Sequence, residues 1–404
     1  MKNHYDIAVI GGGAGGLFFT ALAAKIHKDK NIILIEKNQR VGKKLLITGN
    51  GRCNLTNIYV KEENYHGTFR IYTGEVLKAC SSDKVLELFS EMGLMTKADD
   101  FGRVYPKSNQ ASSVLDVLRF NAEKENVTFC CECKALSVEK SNLFKIATDK
   151  GNFTADKVIV ATGGAASPKA GGDKSGYEIL KNLGHTVIKP SPALCPVLVK
   201  SDYLKSLKGV RVQGEIGLEV DGKCVRKELG EIQFTENALS GICVFNLSGY
   251  IEKHKSYILK IKLMPELDFN ALVETLCRNR EVFSTLDAEN LMTGMLHKRV
   301  AQIVLKDAKV SLNKKARDIS DKEIKAIASK LNSLDFEVLG VKDLSDAQVT
   351  KGGVKGDEID ANTMESKKIK GLYVIGEALD CNGDCGGFNL HFAFATAYLA
   401  ASAL

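Results

Sequence analysis

The chain has little that would place it in a membrane, in a disulfide-stapled secreted scaffold or among metal modules. Its most apolar stretch, residues 390–404, is 15 residues long and contains His391, Thr396 and Ser402, which falls short of a bilayer span. No basic n-region followed by an apolar h-region precedes Tyr5, and the first apolar run is too short and too glycine-rich for a signal peptide. Eleven cysteines is an odd number, and their spacing forms neither a disulfide framework nor paired CxxC ligand sets. There is no internal repeat, no low-complexity segment and no second GxGxxG. These absences point to a cytoplasmic globular enzyme with no metal. Its 404 residues, 44% apolar, are enough for two or three domains.

What is present begins at once. Ile7, Val9 and Ile10 read as a buried strand, Gly11, Gly13 and Gly16 make GxGxxG, and residues 17–26 read as a helix. Gly11 lets the chain turn tightly, Gly13 admits a pyrophosphate to the backbone N–H groups, and Gly16 lets helix pack on strand. The helix N-terminus then offers partial positive charge to the phosphates. A second apolar run, residues 32–35, ends in Glu36, placed to accept hydrogen bonds from ribose hydroxyls and to disfavour a 2′-phosphate. The unit is expected to hold an adenine dinucleotide.

The loop after Glu36, residues 37–57, is rich in Gly, Asn and Lys and too polar for a core. Arg52, Cys53 and Asn54 set a cation, a thiol and an amide between glycines beside the dinucleotide, so this is read as a site loop. Residues 82–92 and 111–124 have helical apolar spacing, with an extended segment carrying Arg103, Tyr105 and Lys107 between them. Residues 127–161 read as successive strands, an insertion frequent in FAD-binding Rossmann domains. Strand alternation would send Cys131 to the opposite face from Cys130, so these two and Cys133 are read as reduced thiols rather than metal ligands. Cys381 and Cys385 lie in a glycine-rich turn, where a redox pair is the alternative to free thiols.

Beyond Pro190 the pattern changes. Residues 197–245 alternate, with Asp221-Gly222 as a hairpin signal, and residues 270–334 turn helical, with a capping box at Ser320 to Glu323. The first theme returns with a strand over 372–375, then Gly376-Glu377, a glycine-rich turn and a terminal helix beginning near Gly387. The expected division is therefore a dinucleotide domain over 1–190 and 347–404. Within it sits a substrate domain over 191–346, β-rich over 191–265 and helical over 266–346. Net charge is +7, concentrated between His297 and Lys330, where ten Lys or Arg face four Asp or Glu. That excess is either a solvated helix face or a footprint for RNA or another polyanion.

Three blocks together carry a family resemblance: GGGAGGL with IEKNQRVGKKLLITGNGRCNLTN, VIVATGGAASPKAGGDKSGYEILKNLGHTV, and VTKGGV with GLYVIGEALDCNGDCGGFNLHFAFATA. Over nearly its full length the chain resembles the BaiN/RdsA family of FAD-dependent oxidoreductases. The resemblance implies an α/β fold, a Rossmann-like FAD-binding domain of the glutathione-reductase type with an inserted β-barrel-like and helical domain. Carried onto this sequence, FAD contacts would come from Gly11, Gly13, Ala14, Gly15 and Gly16 at the pyrophosphate and from Glu36 and Lys37 at the ribose. Lys44, Leu45, Thr48 and Gly49 would follow, then Ala161, Thr162 and Gly163. Gly376 and Glu377 would meet the ribitol, and Gly387, Phe388 and Asn389 the flavin ring. The sequence departs from the family at Cys381 and Cys385, at Lys351 before a glycine pair, and at Ala397, where a glycine is usual.

The implied chemistry is reduction of a conjugated C=C bond in a steroid-like small molecule or in a uracil of ribosomal RNA. NADH or NADPH would bind transiently, through no second fingerprint. Cys53 and then His391 are the expected proton donors, and Arg52 the group that polarises a substrate carbonyl. On the basic stretch, the RNA substrate ranks slightly ahead of the small molecule. An amine oxidase and a non-catalytic RNA-binding flavoprotein or redox sensor fit the same residues.

Overall fold

The computed structural model describes residues 3–125, 127–252 and 254–404. The chain divides into two compact units, Met1–Ala193 with Leu344–Leu404, and Leu194–Asp343.

The first unit is built on a seven-stranded sheet in the order Thr128–Cys130, Ile32–Ile35, His4–Ile10, Gly151–Val160, Phe144–Thr148, Ala135–Lys140, with Leu372–Val374 also paired to Gly151–Val160. The four pairings among the apolar strands are parallel, and the meander is antiparallel. Gly151–Val160 serves both halves: its first residues pair antiparallel with Phe144–Thr148, and its last pair parallel with His4–Ile10 and Leu372–Val374. Continuous Ile and Val runs suit strands covered on both faces. The cover includes the helices Ala14–Ile26 and Phe388–Ser402, joined by Phe18 and Phe394 with ring centroids 4.9 Å apart.

One local expectation fails. The strand at Thr128–Cys130 stops there, Glu132 takes the left-handed φ of 52°, and pairing resumes only at Ala135. Glu36 bridges the gap, its N–H donating to Cys130 O and its own carbonyl accepting from Cys133 N, both at 2.9 Å. The continuous strand assumed for these thiols is therefore broken; Cys130 and Cys133 are buried, and Cys131 is partly exposed.

The second unit is a closed barrel in the order Val197–Lys200, Ala238–Ser240, Lys223–Phe234, Arg211–Val220, Tyr257–Lys262, Leu334–Val341. Asp221 and Gly222, with φ of 50° and 73°, form the two-residue turn that a tight hairpin needs. Alternate side chains such as Ile216, Leu218, Leu259 and Ile261 fill the core. The helices Phe269–Val282, Lys298–Asp307 and Asp321–Asn332 add to it, the last opened by a capping box at Ser320 and Glu323. Among the described residues no helix is long and apolar enough to cross a membrane.

Candidate active site

The glycine turn is fixed by contact distances. A Cβ on Gly11, whose φ is +106°, would lie 2.5 Å from Ala161 O, and one on Gly16 would lie 1.9 Å from Gly11 O. Both positions tolerate only glycine. Gly13 differs: it caps the helix without any side-chain cap, and a Cβ there would meet nothing within 4 Å. Open space in front of uncapped helical N–H groups suits an anion.

Glu36 is only 6% exposed. Its Oε2 accepts from Gly12 N at 2.8 Å, and its Oε1 from Asn38 N at 2.7 Å and Asn38 Nδ2 at 2.6 Å. The carboxylate is thus tied to the glycine turn while Oε2, with one bond, keeps acceptor capacity. Lys37, expected beside the ribose, is ion-paired with Asp173. Burial alone would raise the Asp173 carboxyl, but the bonds from Lys37 and Ser175 hold it below the usual range.

The site loop is more ordered than its composition suggests. Lys43–Ile47 is a short helix, and Gly49 and Asn50 are both left-handed within the turn Thr48–Gly51. Leu45 is buried, Thr48 Oγ1 donates to Leu45 O at 2.6 Å, and Lys44 reaches Glu377 Oε2 at 2.8 Å. Glu377 also accepts from Thr350 N at 2.8 Å, so the loop is joined to the segment carrying Gly376 and Glu377. Arg52 is exposed, with its guanidinium 4.6 Å from the centroid of the Tyr105 ring.

The terminal helix opens at Gly387, φ 101°, again with no side-chain cap. A Cβ there would come within 2.6 Å of Thr56 O and 2.7 Å of Asn54 Oδ1, so the loop 54–57 lies against this helix N-terminus. Asn389 was expected to turn toward a flavin ring, but its side chain is consumed by backbone: Oδ1 accepts from Gly383 N at 2.7 Å, and Nδ2 donates to Gly383 O at 2.8 Å and Asp384 O at 3.3 Å. Phe388 is buried.

Both expected proton donors are enclosed. Cys53 is 0% exposed, with a left-handed φ of 59°, and burial pushes its thiol up to about 12 against a hydrogen bond from Thr48. His391 is 0% exposed; its Nδ1 meets Thr56 Oγ1 at 2.8 Å, and burial brings it down to about 4, the Cys80 backbone offsetting this in part. It is therefore neutral near pH 7. Neither presents surface in this structure.

Four buried side-chain atoms among the described residues have no hydrogen-bond partner: Asn54 Oδ1, Thr162 Oγ1, Asn382 Oδ1 and His391 Nε2. Buried polar groups are normally satisfied. Thr162 follows the strand Gly151–Val160 with Ala161 and the left-handed Gly163, and Asn54 stands at the second uncapped helix. Sequence reasoning missed one pair altogether. His66 Nε2 and Asp384 Oδ1 are 2.9 Å apart, joined by the short pairing of Tyr65–His66 with Asn382–Gly383. No local periodicity marks a contact across that sequence distance.

Part of the basic stretch of the second unit is paired with carboxylates. Lys298 pairs with Glu289 at 3.0 Å, Lys314 with Glu323 at 2.8 Å, Lys315 with Asp287 at 2.8 Å and Lys330 with Asp307 at 2.7 Å. Asp287 and Glu289 lie just before the window in which the excess was counted.

The chain is 32% identical over 402 residues to the 3-dehydro-bile acid delta(4,6)-reductase of Clostridium scindens, covering 98% of each. It is 29% identical over 405 residues to the ribosomal RNA dihydrouridine synthase of Escherichia coli, covering 99% of this chain and 98% of that one. The fold is like that of a 3-ketosteroid delta1-dehydrogenase from Sterolibacterium denitrificans, with a TM-score of 0.50, 12% identity and 99% of each chain covered. The architecture is that of a Rossmann-type FAD-binding flavoenzyme with an inserted barrel. The model of the HI0933-like protein Rossmann domain matches residues 5–403, and the chain belongs to that family.

Proposed function

We propose that the chain is an FAD-dependent reductase of a conjugated C=C bond in a small molecule, with NADH or NADPH as transient electron donor. The observation that carries this reading is the set of unmet polar groups: two helix N-termini capped only by glycine, with the buried atoms Thr162 Oγ1 and Asn54 Oδ1 unpartnered. A flavin dinucleotide has the phosphates, hydroxyls and ring N–H that such groups need.

When bound, FAD supplies the hydride chemistry. Gly11, Gly13, Ala14, Gly15 and Gly16 would hold its pyrophosphate at the first helix, and Glu36 its adenosine ribose. Lys44, Leu45, Thr48, Gly49, Ala161, Thr162, Gly163, Gly376 and Glu377 would line the middle. The main chain of Gly387, Phe388 and Asn389 would set a helix N-terminus against the ring edge that becomes anionic. The exposed Arg52 is the cation available to polarise a substrate carbonyl. None of the eleven cysteines is held in a disulfide, which fits a cytoplasmic location.

A small enone is preferred over RNA because Lys314 and Lys315 of the basic stretch are engaged with carboxylates, and because the relative from Clostridium scindens is named for such a substrate. Uracil in ribosomal RNA is the second reading, favoured by the relative from Escherichia coli. The test is anaerobic: reduce the flavin, then add a steroid-like enone or ribosomal RNA lacking dihydrouridine. Reoxidation by the enone with saturated product is expected. Reoxidation by RNA alone, with dihydrouridine formed, would reverse the preference, and response to neither would send the chain to the oxidase or sensor readings.

A further inference from the structure

With Cys53 and His391 enclosed, reduction of a C=C bond still needs a proton donor that a substrate can reach. We infer that His66, positioned by Asp384, is that donor. The inference rests on the reductase reading above and deepens it.

The geometry is as follows. His66 and Asp384 meet at 2.9 Å, with side chains 25% and 7% exposed. The imidazole thus keeps surface while the carboxylate that orients it is buried, the arrangement used to fix a ring for proton transfer. Asp384 is held in turn: its N–H donates to Asn64 O at 2.8 Å and its carbonyl accepts from Asn389 Nδ2. Asn389 is the second residue of the terminal helix, so the pair is anchored to the helix N-terminus proposed for the flavin ring. The same N-terminus is bordered by the site loop, where Asn57 Nδ2 donates to Gly386 O at 3.1 Å and Gly387 abuts Asn54 and Thr56. His66, through Asp384 and Asn389, and the Asn54–Asn57 loop, through Gly386 and Gly387, are therefore both tied to one helix end. The buried, unpartnered Asn382 Oδ1 lies beside them, in register with His66 across the strand pairing.

The step balances simply. With reduced FAD bound, its hydride would add to the β-carbon, and the C=C π pair would become the new bond at the α-carbon to the proton that the His66 ring gives up. The ring would then regain its proton from water. Asp384 touches no reacting atom; it is a positioning residue that holds the ring.

Two measurements on the holoprotein test this. In the first, His66→Gln should retain FAD and its rate of reduction by NAD(P)H, while reoxidation by the enone slows about 100-fold or more. Added imidazole should restore part of the rate to His66→Ala. Asp384→Asn should slow the same half-reaction less, and imidazole should not rescue it. In the second, which needs no turnover, diethyl pyrocarbonate should label His66 in the oxidised holoprotein, and a saturated ketone product should protect it. The enclosed His185 and His391 serve as unlabelled controls. An unchanged reoxidation rate in His66→Gln, or labelling of His66 indifferent to the ketone, would overturn the assignment. If His66→Gln loses FAD, the labelling result on the unmodified chain decides alone. If the unmodified chain reduces neither enone nor uracil, it is the reductase reading that fails.

Discussion

The two units treat their polar groups in opposite ways. In the unit Met1–Ala193 with Leu344–Leu404, buried side-chain polar atoms go without partners at Asn54, Thr162, Asn382 and His391. In the unit Leu194–Asp343, none of the buried side-chain atoms among the described residues is unpartnered. There even the basic helices meet carboxylates, and Ser320 and Glu323 close a capping box. Leaving a buried polar group unmet costs about 1–3 kcal/mol, so a chain keeps several of them together where a ligand completes them. Charge counted along a sequence says less, because its partners lie elsewhere in the chain.

The sharpest way to break this comparison lies in the glycine turn. Gly16→Ala would push a Cβ to 1.9 Å from Gly11 O, a backbone atom that cannot swing aside. The expected cost is about 3 kcal/mol or more, seen as a lower urea midpoint together with loss of FAD on purification. Gly13→Ala is the informative partner, since its Cβ meets nothing within 4 Å and its φ of −80° is ordinary. It should fold within about 1 kcal/mol of the parent and still bind FAD at least roughly tenfold more weakly, because the methyl enters the space meant for phosphate. Equal FAD affinity in Gly13→Ala would mean that the open space serves something else.

A comparable effect is expected from His391 as acid is added. Its folded value of about 4 is below the ordinary histidine value near 6.5, so the unfolded chain binds the proton more readily. The stability conferred by keeping it neutral is fully present above about pH 6.5 and is lost as pH falls toward 4, by roughly 3 kcal/mol. His185, also lowered by burial, acts in the same direction. His391→Gln keeps a group able to bond Thr56 and removes the titration. Urea unfolding at pH 7, 5 and 4 should therefore show a flatter profile for the variant, and parallel profiles would show that His391 is not held neutral.

These residues also show what the sequence could convey. The glycine turn was legible because its causes are local: Gly11 and Gly16 are five positions apart and touch. The hairpin at Asp221-Gly222 and the capping box at Ser320 were legible for the same reason. The Cys130–Cys133 region misled because alternation presumes a continuous strand, and the left-handed Glu132 interrupts it. Composition marked the site loop as a site but could not bury Cys53, whose enclosure depends on the fold of Thr48–Gly51 beneath it. Asn389 carried a motif's promise, yet its amide is spent on the turn at Gly383 and Asp384. His66 and Asp384 meet across most of the chain, and no spacing rule reaches that far.

The smallest expected effect bears on the other half of the comparison. Lys314 Nζ binds both Glu323 oxygens, at 2.9 and 2.8 Å, and Glu323 is the same carboxylate that closes the capping box on Ser320. Lys315 is engaged with Asp287 at 2.8 Å. Replacing Lys314, Lys315 and Arg317 by Gln should cost about 1 kcal/mol in total, since partly exposed ion pairs contribute little. It should leave the affinity for ribosomal RNA and its dependence on salt unchanged. A true RNA footprint behaves differently: each phosphate contact removed lowers the slope of log affinity against log salt by about 0.7 to 0.9. A drop of about 2 or more in that slope would mean that these lysines leave their carboxylates for phosphates. The second unit would then also hold groups kept for a ligand, and the contrast with the first would fail.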